Sequence, residues 1–264
     1  MDPFISKLML SFVVGGLWTV VGTVIAERAG TKAGGVIAGM PSAIVVALFF
    51  IGWTQSPEVA SEATTLVPLV LGIIALFCVV YVLLYPRGFA LAVTVGLAFW
   101  FAVSLGVVFA GVDRFSHSLI GFAILVPSCH IVFEKVLRIP SAGRRTVSPT
   151  WQQLLFRAIL GGFIISFAVT MAKVGGPLIG GVFATFPTIM LSTMVINHFA
   201  HGPAFATSFI KTITLSGPIN TTVYSTCVRY LYPEFGLAVG TGMSFVIALI
   251  SGGIVYLFIR QRTS

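Results

Sequence analysis

The stretch Gly180-Gly181-Val182-Phe183-Ala184-Thr185-Phe186-Pro187-Thr188 echoes an earlier one, Gly34-Gly35-Val36-Ile37-Ala38-Gly39-Met40-Pro41-Ser42. The interval is 180−34 = 146, and the same 146 relates Gly15-Gly16 to Gly161-Gly162, Ala26 to Ala172, Gly30 to Gly176 and Pro57 to Pro203. Leu84-Tyr85-Pro86 returns one residue out of step as Leu231-Tyr232-Pro233. Leu91-Ala92-Val93 with Gly96 then returns in step as Leu237-Ala238-Val239 with Gly242. Scattered Gly and Ala do not hold one register over about a hundred residues by chance, so the chain carries an internal duplication.

Composition sets the environment. Of 264 residues, 57% are hydrophobic and only 8% charged, with a mean hydropathy of +1.06. A water-soluble surface needs far more Lys, Arg, Asp and Glu than this. The net charge of +8 is spread over short loops, where basic residues act as orientation signals and do not form a nucleic-acid patch. Cys78, Cys129 and Cys227 lie inside apolar blocks without CxxC spacing, as buried small hydrophobes do. The N-terminal segment Met1 to Lys7 has no basic leader region and reads as the start of a retained span.

Nine apolar spans follow, at 4–26, 34–53, 62–85, 88–111, 115–137, 153–173, 177–198, 204–231 and 235–259. Each suits a helix and none shows the alternation of a barrel strand. Arg28, Lys32, Arg87, Lys135, Arg138, Arg144, Arg145, Arg157, Arg260 and Arg262 fall on one side of this arrangement. Lys7, Arg114, Lys173 and Arg229 fall on the other, so the N-terminus is expected outside and the C-terminus in the cytoplasm. The expected organisation is repeat 1 over residues 1–112, a linker helix over 113–138, a basic cytoplasmic loop over 139–152 and repeat 2 over 153–264. Five crossings precede the second copy, which therefore starts on the opposite side from the first. The expected fold is an all-α polytopic membrane protein of two inverted four-helix repeats joined by one linker helix, an arrangement common among secondary transporters.

Candidate site residues come from the interrupted spans. Gly34 to Ala38 and Gly180 to Ala184 have the small-xxx-small spacing of close helix contacts. Pro41 and Pro187 then fall several residues inside a span, where each is expected to kink or break the helix and free backbone groups for a polar substrate. Gly and Pro also shape packing in membrane helices, but their paired placement in two copies favours a site. Ser42, Thr185 and Thr188 flank the two prolines. The eighth span is the least lipid-like and holds Lys211, Ser216, Asn220 and Thr221 around Gly217-Pro218, where a tilted or broken helix is expected. Ser and Thr there can also serve as helix glue. Lys211 reads either as a snorkelling side chain or as an anion-attracting or gating charge. Glu27 and Lys173 read as interfacial anchors and His130 with Glu134 as an interfacial pair. His198 and His201 have i, i+3 spacing without an accompanying Cys or carboxylate, and no metal site is expected.

No enzyme signature is present: no HExxH, GxSxG, Walker A run or kinase set. No catalytic residue, cofactor or nucleotide-binding domain is expected.

The second copy, Gly180 to Thr188 with His198 and the Thr-rich eighth span, resembles the GlpM-like group of small bacterial inner-membrane proteins. Those proteins are about half this length, so the chain looks like a fused, inverted tandem of such units. The resemblance implies a bacterial inner-membrane address and supplies no substrate. First-copy departures, such as Met40 for Phe186, leave the equivalent roles there open.

The expected function is therefore secondary, non-ATP transport of a small polar solute or ion through a midplane site between the repeats. The alternatives are an uncoupled channel or facilitator and a non-transporting membrane scaffold or envelope-biogenesis factor. The expected partners are that solute or ion and the lipid bilayer; no nucleic acid is expected, and a homo-oligomer is compatible with this reading.

Overall fold

The computed structural model describes residues 2–28, 41–139 and 150–262. Gly30, Gly34, Gly35, Val36 and Ala38 of the first-copy motif, and positions 140–149 of the basic loop, lie outside the described residues.

Every described element is helical. In chain order they are α1 (Pro3–Arg28), α2 (Ser42–Thr54), α3 (Pro57–Ala63), α4 (Val67–Leu84), α5 (Phe89–Phe109) and α6 (Phe115–Ile131). After a five-residue π-turn (Val132–Val136) come α7 (Trp151–Val174), α8 (Pro177–Ala184), α9 (Thr188–His201) and α10 (Pro203–Arg262). Local chemistry marks the boundaries. Ser56 accepts from the Val59 amide ahead of Pro57, while Thr150 and Gln153 form a capping box at the start of α7.

Six stretches are long and apolar enough to cross a membrane: Pro3–Ile25, Pro57–Arg87, Phe89–Phe109, Phe115–Val136, Trp151–Val174 and Gly217–Ile254. Large apolar side chains such as Leu17, Ile124, Ile159 and Ile250 stand exposed along them. In water such faces would aggregate; in a bilayer they meet lipid. The protein is a multi-pass membrane protein.

Several sequence expectations need adjusting. Span seven is not a single kinked helix, and α2 begins only at Ser42, after Pro41. In the second copy α8 ends at Ala184 and α9 begins at Thr188, with Pro187 as its N-cap residue. Pro41 holds the same place before α2, and the two backbones agree closely: φ −73°, ψ 52° at Pro41 and φ −77°, ψ 55° at Pro187. A residue with no N–H that cannot continue the preceding turn starts a new helix more readily than it bends an old one. The third span is likewise divided, between α3 and α4.

The expected break at Gly217-Pro218 is absent: α10 runs through it and departs from helical geometry at Gly236, with φ 71° and ψ 179°. That φ suits glycine, and the chain folds back on itself there. Tyr232 then reaches Thr241 at 2.7 Å, and Ser251 donates to Asn220 at 3.4 Å. The eighth and ninth spans are thus the two limbs of one antiparallel hairpin.

α1 and α7 pack along one another. Phe4, at the start of α1, lies under the Lys173 ammonium at the end of α7, 3.7 Å from ring centre to Nζ, so the pair is antiparallel. Their glycines meet reciprocally. Gly15 abuts Ile165 as Gly161 abuts Thr19, and Gly16 abuts the Ala158 carbonyl as Gly162 abuts that of Phe12. With 165−19 and 158−12 both equal to 146, each contact is its partner with the copies exchanged. Two pairs of adjacent glycines allow these backbones their close approach.

Candidate functional site

The break between α8 and α9 positions the site. Ala184 to Thr188 are all buried. The Thr185 hydroxyl donates to the Val182 carbonyl at 2.7 Å and that of Thr188 to the Phe186 carbonyl at 3.3 Å. These bonds hold the short turn closed, and no side chain caps the N-terminus of α9. From the break, Phe186, Met190, Met194 and His198 recur every four residues and form one stripe of α9.

Helices α4 and α5 face that stripe. Trp100 of α5 packs edge-to-face with Phe186, centroids 5.4 Å apart. Cys78 of α4 places its sulfur 3.5 Å from that of Met190. At the far end the Tyr85 hydroxyl bonds Nδ1 of His198, whose imidazole stacks on Phe89 at 4.0 Å. Tyr81 is one turn before Tyr85, with ring centres 5.3 Å apart. A seam of polar and polarizable side chains therefore runs along α9 through an otherwise apolar core. Three groups of α4 and α5, Tyr81 Oη, Trp100 Nε1 and Ser104 Oγ, belong to wholly buried residues and have no partner among the described residues. Each such group costs about 1–3 kcal/mol if nothing meets it, so a seam carrying three is built to be visited by water or a ligand.

Lys211 belongs to a second cluster. It is buried, donates to the Ile139 carbonyl at 2.7 Å, and pairs with Glu134 at 2.8 Å. The π-turn after α6 makes this possible: Leu137 N bonds Val132 O and Ile139 N bonds Phe133 O, and Arg138 then adopts φ 49°. An extra residue in the turn is a frequent device for aiming functional groups. Lys211 thus neither snorkels to water nor stands as an open charge, and Glu134 takes Lys211 as its ion-pair partner.

The other expected site residues separate. Pro41 is buried before α2, which packs mainly on α1, α7 and α3 and also touches α10 and α8. Asn220 is fully buried, but it accepts from Ser251 across the α10 hairpin, so it acts between limbs and not beside a helix break. Thr221 is half-buried on the same limb. The side chains of Ser42, Ser216, Glu27 and His201 lie outside the described residues. Among the described residues no cluster of metal ligands occurs.

Sequence reading missed Trp100, Ser104, Tyr81, Tyr85 and Arg157. Arg157, which the charge pattern places with the basic residues of one side, is only 4% exposed and donates to Thr193 of α9 at 3.4 Å. Its place inside the sixth span, 153–173, was the available signal. For α5, the spacing Ala92, Gly96, Trp100, Ser104 marks a buried face, with small or polar residues at three of its four positions.

Fold and site together define a polytopic helical membrane protein with a discontinuous helix beside a buried polar seam. The family described as "Protein of unknown function (DUF3147)" matches residues 8–113 and again residues 154–261. The chain belongs to that family, as a tandem of two units. No curated protein and no solved structure matches.

Proposed function

We propose that this protein is a secondary, non-ATP transporter of a small polar solute or ion, alternating access around the α8–α9 break. The observation that carries the reading is the break itself, which brings buried helix ends beside unpartnered polar groups inside an apolar bundle. Discontinuous helices at the membrane midplane are the recurrent substrate sites of such transporters.

The reciprocal α1–α7 contacts support an inverted relation between the copies, with a pseudo-two-fold axis near Gly15-Gly16 and Gly161-Gly162 in the plane of the membrane. Cross-chain contacts also pair the ends that nine crossings would bring to one side. Lys7 with Trp53, Phe4 with Lys173, and Arg229 with Thr65 and Phe115 would gather at the outer face. Tyr85 with His198 and Glu134 with Lys211 would gather at the cytoplasmic face of a bacterial inner membrane.

Two measurements test this. In a background lacking the native cysteines, Arg87→Cys and Glu234→Cys are expected to react with an impermeant maleimide from opposite sides. Labelling from one side removes the inversion. Purified protein in liposomes is expected to show saturable, gradient-driven uptake from a panel of labelled polar solutes, falling on the order of tenfold in Pro187→Ala, which lets α8 fuse with α9. Flux that never saturates assigns a channel instead, and no flux at all leaves a scaffold.

A further inference from the structure

We infer that the α8–α9 break is a binding site for a small anion, held between the two copies by donors that each copy contributes. The inference takes its purpose from the transport reading; its geometry is independent of it.

Among the described residues, both unpartnered side-chain groups of α5 offer a hydrogen. Trp100 is fully buried, lies against Phe186 at the break, and its Nε1–H has no acceptor. An indole N–H can only donate. Ser104, one turn further along the same face of α5, is also fully buried with an unpartnered hydroxyl. From the second copy comes the N-terminus of α9, a 14-residue helix starting at Thr188. No side chain caps it; the Thr188 amide is taken by the Phe186 carbonyl at 2.7 Å, which leaves the next two amides of the first turn and the positive end of its dipole at the break. An uncapped helix N-terminus alone is common; one with a buried orphan N–H against it is a receptor lacking its acceptor.

Charge points the same way. Helices α4, α5, α8 and α9 contain no Asp or Glu, so no side-chain carboxylate there would attract a cation. Lys211 is not one of the donors, because Glu134 meets its charge. A small anion, a carboxylate or an inorganic oxyanion, satisfies all the donors together in a dry setting, where such bonds are strongest.

The test uses the full chain in lipid nanodiscs with Trp18, Trp53 and Trp151, all at least 37% exposed, replaced by Phe so that Trp100 alone reports. Acetate, phosphate, nitrate and the neutral isostere acetamide are titrated, reading Trp100 emission and the thermal midpoint. A saturable emission change and a raised midpoint are expected with at least one anion, and neither with acetamide. The acetate, phosphate and nitrate arms separate a carboxylate from an inorganic ligand. Ser104→Ala is expected to weaken binding about tenfold through loss of one charge-assisted bond. In the otherwise native chain, Trp100→Phe is expected to abolish the midpoint shift. The inference fails if no anion saturates, if acetamide binds as well as acetate, or if Ser104→Ala binds like its parent. Anion binding without flux would sink transport and leave the site standing. Saturable flux of a neutral solute, indifferent to anions and to Ser104→Ala, would do the reverse.

Discussion

Gly181→Ala is expected to lower the thermal midpoint of the purified protein by roughly 6–12 °C, more than a methyl added at any other described glycine. The added Cβ would be driven onto the Ala63 carbonyl oxygen at the end of α3. That obstacle is backbone at a helix end, so no rotamer change relieves it, and either α8 or α3 must move. Overpacking against a rigid partner costs up to about 3 kcal/mol, and about 2–4 °C accompanies each kcal/mol in a domain of this size. Gly106→Ala is the control: a Cβ there meets nothing within 4 Å, and its midpoint is expected to stay within a degree or so of the parent. Equal melting of the two variants would show that α8 does not dock on α3 as described. The contact matters for function because α8 sets the position of the break. Its displacement would move Thr185 and Pro187 away from Trp100, so the variant should lose uptake in proportion to its loss of folded protein.

The pair Glu134–Lys211 is expected to respond unequally to removal of its two members. The lysine side chain is 9% exposed and the carboxylate 46%. Glu134→Ala leaves a buried ammonium held by the Ile139 carbonyl, whereas Lys211→Met leaves a carboxylate that water reaches. Breaking a buried pair costs about 3–5 kcal/mol; because Glu134 is half-exposed, about 1–3 kcal/mol is the expected loss for Glu134→Ala. Lys211→Met should cost under about 1 kcal/mol, since an apolar chain of similar volume replaces the charge. The double variant should recover most of what Glu134→Ala loses. Thermal midpoints of the three proteins decide it, and equal losses from the two single changes would mean that the ammonium is not buried as described. The pair also ties the π-turn after α6 to α10, fastening the linker helix to the second copy.

Much of this was legible from residues alone, because it depends on local pattern. The 146-residue interval, the apolar blocks and the prolines inside spans two and seven require only composition and spacing. Pro187 marks a discontinuity, as its place inside span seven predicts, and Pro41 stands immediately before α2. What each proline does was not legible, since kinking one helix and starting a second leave the same residues in a sequence. Gly217-Pro218 shows the converse. It carries the same signal as the other breaks, yet the helix passes through it and folds back at Gly236.

The sequence by itself determined that the protein is helical, membrane-spanning and duplicated, because hydrophobic length and internal repetition are one-dimensional properties. Only the tertiary structure decided which polar groups face one another: Trp100 at Phe186, Tyr85 at His198, Glu134 at Lys211. Those partners are 86, 113 and 77 residues apart in the chain. Their meeting depends on how the helices fold against one another, which no local spacing records.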